Sequence, residues 1–477
     1  MADPAHSRRL FLFAAGLLLV GAAGLRFYQI NRRPFHADEA VQAYQTWQLL
    51  RGNGYSYDPA DKHGPFLYYA AAGFAKLSGW SPAGLNEFRL RSVTLFAGLG
   101  TIALVLGAAS RLGRTTTLIA AALLAAAPLA VIYDTYFVQE AWFCFFTWAL
   151  FFALLHWRDD KTMAGAFLIG ALAGLMHSTK ETSVLHFLAL GAALLSTGSL
   201  NEIGRRWHHL LAALFMAALV YVLFYSSFFM HWSGVTDGMR AYTNYAARAS
   251  SSAHDQPETY YFSMLWSHSN GGSQWGEPLL LFMAFAGAAF AFTPRASVSQ
   301  RMLAVFTLVL LLTYSFIPYK TPWLLLTPYV GLTLLAGLGA AQSTAGLPAN
   351  LARFSPAFLG LVILGAGIWR NYPAIGRYAS DDRNPYVYQP TSSDLPRLVS
   401  VIAALPVEKK IAVISPDHAW PLPWYLRDRP AVGYFTTPPA NLAAYDLVLF
   451  DSRLDTGLPA SVAVFGLRPN VILWYAP

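Results

Sequence analysis

With 55% hydrophobic and only 12% charged among its 477 residues, the chain carries about half the roughly 25% charge usual in a soluble globular protein. That balance excludes an ordinary soluble domain and points to a polytopic membrane protein. The net charge of +8 does not call for nucleic acid. Basic residues on cytoplasmic loops and near lipid phosphates account for it, and the sequence has no zinc-finger spacing or basic helix.

Arg8 and Arg9 precede the apolar run Leu10–Leu25. Gly21-Ala22-Ala23 imitates a signal-peptide cleavage site. The acidic pair that follows, and the many later apolar runs, favour an uncleaved anchor. Allowing ~17–25 residues each, about eleven spans are expected. They lie near Leu10–Ile30, Ser92–Leu112, Thr115–Tyr133, Phe137–Trp157, Met163–Met176, Ser183–Thr197, His208–Met230, Glu277–Phe292, Met302–Ile317, Trp323–Ala341 and Pro356–Trp369. Cys144, the single cysteine, falls in one of them. Intrachain disulfides and a Cys-based metal site are therefore excluded, and it reads as a small core residue.

With the N-terminus inside, alternate links carry Arg111 and Arg114, Arg158 and Lys161, Arg205 and Arg206, Arg295 and Arg301, then Arg353. These basic links are cytoplasmic by the positive-inside rule. An odd span count then places the C-terminus outside.

Two outer segments are long. In 31–91, Val41, Tyr44, Trp47 and Leu50, and again Phe66, Tyr69, Gly73 and Leu77, have helical spacing. They predict interfacial helices over Ala37–Leu50 and Phe66–Leu77. The polar segment 231–275, with Ser250-Ser251-Ser252 and Gly271-Gly272, reads as a mobile loop. After about Tyr372 the composition changes. Ser393–Leu405 predicts a helix, and Ile411–Ser415, Leu447–Asp451 and Val471–Tyr475 predict strands around a Pro- and Trp-rich turn at Pro416–Pro423. The expected architecture is an all-α polytopic transmembrane domain, 1–375, followed by a small extracytoplasmic α/β domain, 376–477.

The unusual polar residues gather on the outer side. Asp38 and Glu39 open the first loop, in His36-Ala37-Asp38-Glu39-Ala40. Asp61, Lys62 and His63 lie between its two helices, and Arg89 and Arg91 precede the second span. Asp134 and Glu140 flank the next outer turn, Lys180 and Glu181 occupy the one after, and Lys320 and Trp323 stand in YKTPW. Ionisable groups at membrane depth are costly and tend to be paired or functional. A carboxylate there can deprotonate an acceptor, and nearby cations can hold a phosphate as it leaves. A lipid-linked sugar phosphate reaches such a site within the membrane, and neither nucleotide-binding glycine motif is present.

The acidic pair after the first span, the DKHGP stretch, the Arg-Leu-x-Ser start of the second span and the outward C-terminal domain resemble the GT-C membrane glycosyltransferases. Within them, the chain is similar to the protein O-mannosyltransferase and aminoarabinose-transferase branch. HADEA, YDTYFVQE, STKET and YKTPW resemble prokaryotic proteins described as flippase-activity-associated or dolichyl-phosphate-mannose-type transferases. WPLPWYLR extends the likeness into the C-terminal domain. The resemblance implies sugar transfer from a polyprenyl-phosphate donor to a protein, lipid or glycan acceptor, in a multi-pass protein of a prokaryotic plasma membrane. It implies that Asp38 is the catalytic acidic residue and Glu39 its neighbour. Lys62 then binds donor phosphate beside Asp61, and Arg89, or Arg91 in another register, assists. Asp134 departs from the family, where many relatives have a basic residue.

Other readings stand beside these. Lys180 with Glu181 reads equally as an interfacial ion pair, and Lys320 as a snorkelling side chain. His36 and His63 with Asp38 and Asp61 would suit a divalent metal ion such as zinc. A protein that binds a lipid-linked sugar without catalysis, as a flippase accessory or transporter, is the competing function.

Overall fold

The computed structural model describes residues 4–60, 63–249, 254–266, 268–270, 273–345, 347–348, 351, 355–451, 453–454, 463–468 and 471–476. Helices dominate up to residue 375. They are α1 (Pro4–Gln29), α2 (Ala37–Leu50), α3 (Phe66–Leu77), α4 (Glu87–Gly107), α5 (Arg114–Ala126), α6 (Pro128–Asp134), α7 (Glu140–Asp160), α8 (Met163–Thr179), α9 (Ser183–Ser196), α10 (Ser199–Arg205), α11 (Trp207–Tyr225), α12 (Ser233–Ala249), α13 (Pro278–Ala291), α14 (Val298–Phe316), α15 (Leu326–Ala345) and α16 (Ser355–Ile375).

Among the described residues, six helices are long and apolar enough to cross a membrane, or up to eight spans if each of two bent pairs counts as one. The expectation of about eleven also counted the shorter apolar helices α8 and α13, and α16. One bend divides the predicted span Thr115–Tyr133. There α5 and α6 meet at 66°, because Pro128 lacks an amide hydrogen and its ring clashes with the preceding turn. Ala127 before it is extended, as a residue preceding proline should be.

Small residues let the helices approach closely, as lipid-embedded packing requires. A Cβ added at Gly287 of α13 would lie 1.9 Å from the Leu335 carbonyl oxygen of α15, and one at Gly170 of α8 would lie 2.1 Å from that of Ala213 in α11.

The two interfacial helices have the predicted bounds. Ala40, Ala43 and Trp47 of α2 pack with Leu67 and Ala71 of α3, over Phe35, Leu90 and Phe137. The segment 231–275 differs from its reading as a mobile loop. It holds the 17-residue α12, a short helix at Tyr260–Leu265, and a hairpin of β1 (His268–Asn270) and β2 (Ser273–Trp275). The polar composition hid a helix held by one face: Ala241 is fully buried, and a Cβ added at Gly238 would lie 2.6 Å from the Tyr221 hydroxyl of α11. The serine and glycine runs singled out there, Ser250-Ser251-Ser252 and Gly271-Gly272, lie outside the described residues.

Beyond residue 375, α17 (Leu395–Ala403) accompanies β3 (Ile411–Ile414), β4 (Val432–Phe435), β5 (Leu447–Asp451), β6 (Ala463–Arg468) and β7 (Val471–Ala476). The sheet order is β4-β3-β5-β7-β6. β3 pairs parallel with β4 and β5, and β7 pairs antiparallel with β5 and β6. β3 and β5 are buried at every residue, which is why they read as continuous apolar runs. This unit sits on the segment that opens α2. The Phe35 amide donates to the Tyr425 hydroxyl at 2.8 Å, Thr391 Oγ1 donates to the Phe35 carbonyl at 2.7 Å, and the Trp424 ring meets that of Phe35 at 5.6 Å.

Candidate active site

His36 caps α2. Its Nδ1 accepts the Asp38 amide hydrogen at 3.1 Å, and its own amide donates to Glu39 Oε2 at 3.0 Å. This reciprocal cap sets the rotation of the first turn. Successive side chains on a helix point about 100° apart, so the two acids diverge.

Glu39 turns inward and is fully buried. Arg91 Nε and Nη2 donate to its two oxygens, each at 2.7 Å, and the Phe137 amide donates to Oε1 at 2.8 Å. The rest of the Arg91 guanidinium donates to the carbonyls of Ile30, Arg33 and Pro34. Burial alone would raise the Glu39 carboxyl, but Arg91 holds it below the usual glutamate range.

Asp38 turns outward. Its side chain is 53% exposed, with Oδ2 3.8 Å from His36 Nδ1. It lines a cavity of about 480 Å³ together with Gln42, Gln139, Lys180, Tyr242 and Trp323. An aromatic group stands beside it. Trp323 meets His36 edge-on at 6.0 Å and Tyr388 at 5.4 Å. The Tyr388 hydroxyl is hydrogen-bonded to His254 Nδ1. Burial lowers the His254 pKa, while the nearby Asp38 charge works the other way. Burial raises that of Tyr388, with Asp38 adding to it.

Deeper groups are paired. Lys180, 4% exposed, reaches Glu140, 6% exposed, at 2.5 Å. Glu181 accepts from the Tyr57 hydroxyl at 2.9 Å and faces His63 Nδ1 at 3.2 Å. Burial raises the Glu181 carboxyl, and the His63 contact more than offsets it, leaving it below its ordinary range.

Asp38, His63, Glu140, Lys180, Glu181 and Trp323 therefore share one cavity. Lys180 pairs with Glu140 across the cavity wall, not with its neighbour Glu181 as the simple ion-pair reading had it. Asp61 and Lys62 lie outside the described residues. Four other candidates are occupied elsewhere. Arg89 donates through Nη1 to the Gly84 carbonyl at 2.6 Å and lies over Trp80. Arg91 is consumed by Glu39. Asp134 is buried against Arg26 of α1, whose Nε donates to it at 2.8 Å. Lys320 Nζ donates to the Gln256 carbonyl at 2.8 Å. Arg91 and Asp134 are ion-paired, Arg89 and Lys320 donate to backbone carbonyls, and none of the four lines the cavity.

Sequence reasoning missed Arg26, although a lone charge near the end of an apolar run signals a buried partner. It also missed His254 and Tyr388, which carry no local signal. Among the described residues, no three His, Cys, Asp or Glu side chains gather as a metal site. His36 and His63 are engaged separately, with the Asp38 amide and Glu181.

The chain superposes on ArnT from Cupriavidus metallidurans in the apo state with a TM-score of 0.66 and 14% identity, over 96% of this chain and 97% of that one. The fold is that of the GT-C membrane glycosyltransferases. A second GT-C structure, ArnT from the same organism bound to undecaprenyl phosphate, gives 0.65 and 14%, over 99% and 98%. AglB, the oligosaccharyltransferase of Archaeoglobus fulgidus, in complex with an inhibitory peptide and a dolichol-phosphate, gives 0.60 and 12%, over 93% and 70%. Residues 62–225 match the family model described as dolichyl-phosphate-mannose-protein mannosyltransferase. No curated protein matches the chain in sequence. The GT-C fold and the apolar helices make this a multi-pass membrane protein.

Proposed function

We propose that this protein is a glycosyltransferase that moves a sugar from a polyprenyl-phosphate carrier to an acceptor on the outer face of the membrane. The observation that carries the proposal is the state of Asp38. It is a half-exposed carboxylate on a cavity wall, on a fold shared with proteins that use lipid-linked sugars. The family match over 62–225, and the undecaprenyl phosphate and dolichol-phosphate bound in two structures of the same fold, support a lipid phosphate as leaving group.

In the step proposed, an acceptor oxygen or nitrogen attacks the anomeric carbon. The bond from that carbon to the phosphate oxygen breaks, and the bonding pair leaves with the polyprenyl phosphate. Asp38 takes the acceptor's proton as general base. Lys180, held in place by Glu140, faces the same cavity and offers a cation to the departing phosphate. Lys62 is assigned the same task, because its neighbour His63 lines the cavity. Arg89 is not given the role the resemblance implied, since it does not line the cavity.

The orientation is proposed from the basic links, read as inner, together with an odd span count, about eleven, which would put both Asp38 and the unit from 376 onward outside. That unit, anchored on Phe35, is assigned to shaping the acceptor entrance. The membrane part is then 1–375 and the outer domain 376–477.

The test is side-by-side measurement of transfer and of donor binding for the wild type and Asp38→Asn, which keeps size and removes charge. The expected outcome is donor binding without transfer in the variant alone. Donor binding without transfer in both proteins would overturn the enzyme reading in favour of a lipid-linked-sugar binding protein.

A further inference from the structure

The stretch WPLPWYLR, Trp420–Arg427, has no task in the mechanism above. It belongs to the unit beyond residue 375, yet its side chains reach the starts of α2 and α4. The Tyr425 hydroxyl accepts the Phe35 amide hydrogen at 2.8 Å and donates to Glu87 Oε1 at 2.7 Å. A hydroxyl has one hydrogen and two lone pairs, so it can do both at once. Phe35 directly precedes the cap residue His36, and Glu87 opens α4 one turn before Arg91. Around this bridge, Arg427 Nη2 donates to the Leu85 carbonyl at 3.0 Å, and Trp420 meets Tyr44 of α2 edge-on at 5.8 Å.

Thr391 of the same unit closes the other side. Its Oγ1 donates to the Phe35 carbonyl at 2.7 Å. Both backbone groups of one residue are thus held by side chains of the outer unit. The Phe35 ring is fully buried between Trp424 and the Arg91 guanidinium, which lies 4.9 Å from it. This anchorage bears on Asp38. Among the described residues, no donor is hydrogen-bonded to the Asp38 carboxylate, and His36 Nδ1 stands off at 3.8 Å. The place of that carboxylate therefore follows from the backbone at the start of α2. The Arg91–Glu39 pair fixes the rotation of the first turn. Phe35 fixes where the chain enters it, and Tyr425 ties together the two helices that the ion pair spans.

We propose that Thr391 and Tyr425 are positioning residues for sugar transfer: by clamping both backbone groups of Phe35 they hold Asp38 in place on the cavity wall. The outer unit then completes the active site as well as bordering it. The proposal rests on the sugar-transfer reading and adds two residues to it, neither of which touches the reacting atoms. The first amides of a helix have no partner within the helix, so an unclamped Phe35 lets the first turn of α2 shift. A misplacement of about 1 Å can lower a rate by about 10²-fold. The loss belongs to turnover and not to donor affinity. Lys180 and Glu140, assigned to the phosphate, stand on elements that the clamp does not touch.

The experiment uses the full-length chain with Tyr425→Phe, Thr391→Val or Thr391→Ser. Arg429→Met is the control. Arg429 donates to the carbonyls of Ile402, Leu405 and Pro406, so its loss loosens the outer unit without touching Phe35. Turnover is read as polyprenyl phosphate released in source-cell membranes that carry each variant in place of the wild type. Affinity for bare undecaprenyl phosphate is measured in lipid nanodiscs. Placement is read there from a nitroxide on Asp38→Cys, because the chain's own cysteine, Cys144, is buried. Tyr425→Phe and Thr391→Val should each lower turnover by about 10- to 100-fold, leave lipid affinity unchanged and add a faster-moving component to the nitroxide spectrum. Thr391→Ser, which keeps the hydroxyl, should stay near wild type in all three. So should Arg429→Met, although it lowers the melting temperature.

Wild-type turnover in both Tyr425→Phe and Thr391→Val, or an unchanged nitroxide spectrum, would reduce these contacts to fastening and overturn the proposal. An equal loss of turnover in Arg429→Met would trace the effect to a loosened outer unit and overturn it as well. If the wild type itself releases no polyprenyl phosphate while the nitroxide is freed in both variants, the clamp on Asp38 stands and the sugar-transfer reading beneath it fails.

Discussion

Of the two adjacent carboxylates at the start of α2, one stands half exposed on a cavity wall and the other is sealed inside the protein. Asp38 has an open side and a histidine nitrogen at 3.8 Å. Glu39 has no exposure, and its oxygens accept from Arg91 twice and from the His36 and Phe137 amides. The difference separates chemistry from architecture. A carboxylate whose lone pairs are all engaged by fixed donors has no room for an incoming proton. What it does is join α2, α4, the segment Ile30–Pro34 and the turn at Phe137 around one ion pair. Its neighbour, excluded from that network by the helix rotation, remains able to accept a proton.

Replacing each acid in turn breaks the comparison most directly. Asp38→Asn should reduce transfer by about 10²–10⁴, the usual weight of a general base, and leave the melting temperature unchanged. Full turnover in this variant would erase the distinction between the two acids. Glu39→Gln or Arg91→Met should instead destabilise the protein by about 3–5 kcal/mol, because either change strands a buried charge. Chemical denaturation in detergent reads this. The double variant should cost less than the sum of the two singles.

Acid sharpens the same contrast. The Glu39 carboxyl lies below its ordinary value in the folded state, so its stabilising contribution is fully present above the unfolded value, about 4.3. It is lost as pH falls through the lower folded value. The stability gap between wild type and Glu39→Gln should therefore hold from neutral pH down to that range and close below it. A gap that already closes near pH 7 would mean that Arg91 does not hold the charge.

Smaller effects separate the basic residues. Lys180→Met paired with Glu140→Gln removes the wall pair without leaving a lone charge. It should weaken donor binding by about 10-fold or more, in keeping with the ~1.5–3 kcal/mol of a charged hydrogen bond, while the protein stays folded. Arg89→Ala is expected to do least. Its stability change should stay within about 1 kcal/mol, and sugar transfer should stay near the wild-type rate. A large loss of transfer in Arg89→Ala would return that side chain to the donor site.

Much of the framework was legible in the chain itself. The apolar runs, both interfacial helices to their end residues, and the strands at Ile411 and Leu447 follow from local periodicity and composition. So does the clustering of Asp38, His63, Glu140, Lys180, Glu181 and Trp323, which now line one cavity. The helix at Ser233–Ala249 was hidden because its polar composition outweighed a face that only packing defines. Strands β4 and β6 were hidden as well. The first is short, half-buried and interrupted by Gly433, and such a strand is specified by its neighbours more than by its own residues.

By itself, the sequence determined that this is a membrane protein with acidic and basic residues gathered along the segments that join its spans. It could not apportion those residues among partners. Arg91 neutralises Glu39, Arg26 meets Asp134, and Glu140 rather than Glu181 holds Lys180. Each of these pairs joins residues at least 40 positions apart. Local periodicity says which way a side chain points from its own helix axis, but not what stands opposite. That depends on how neighbouring helices are rotated and spaced. Helix packing therefore decided which charges hold the fold and which are left to line the cavity.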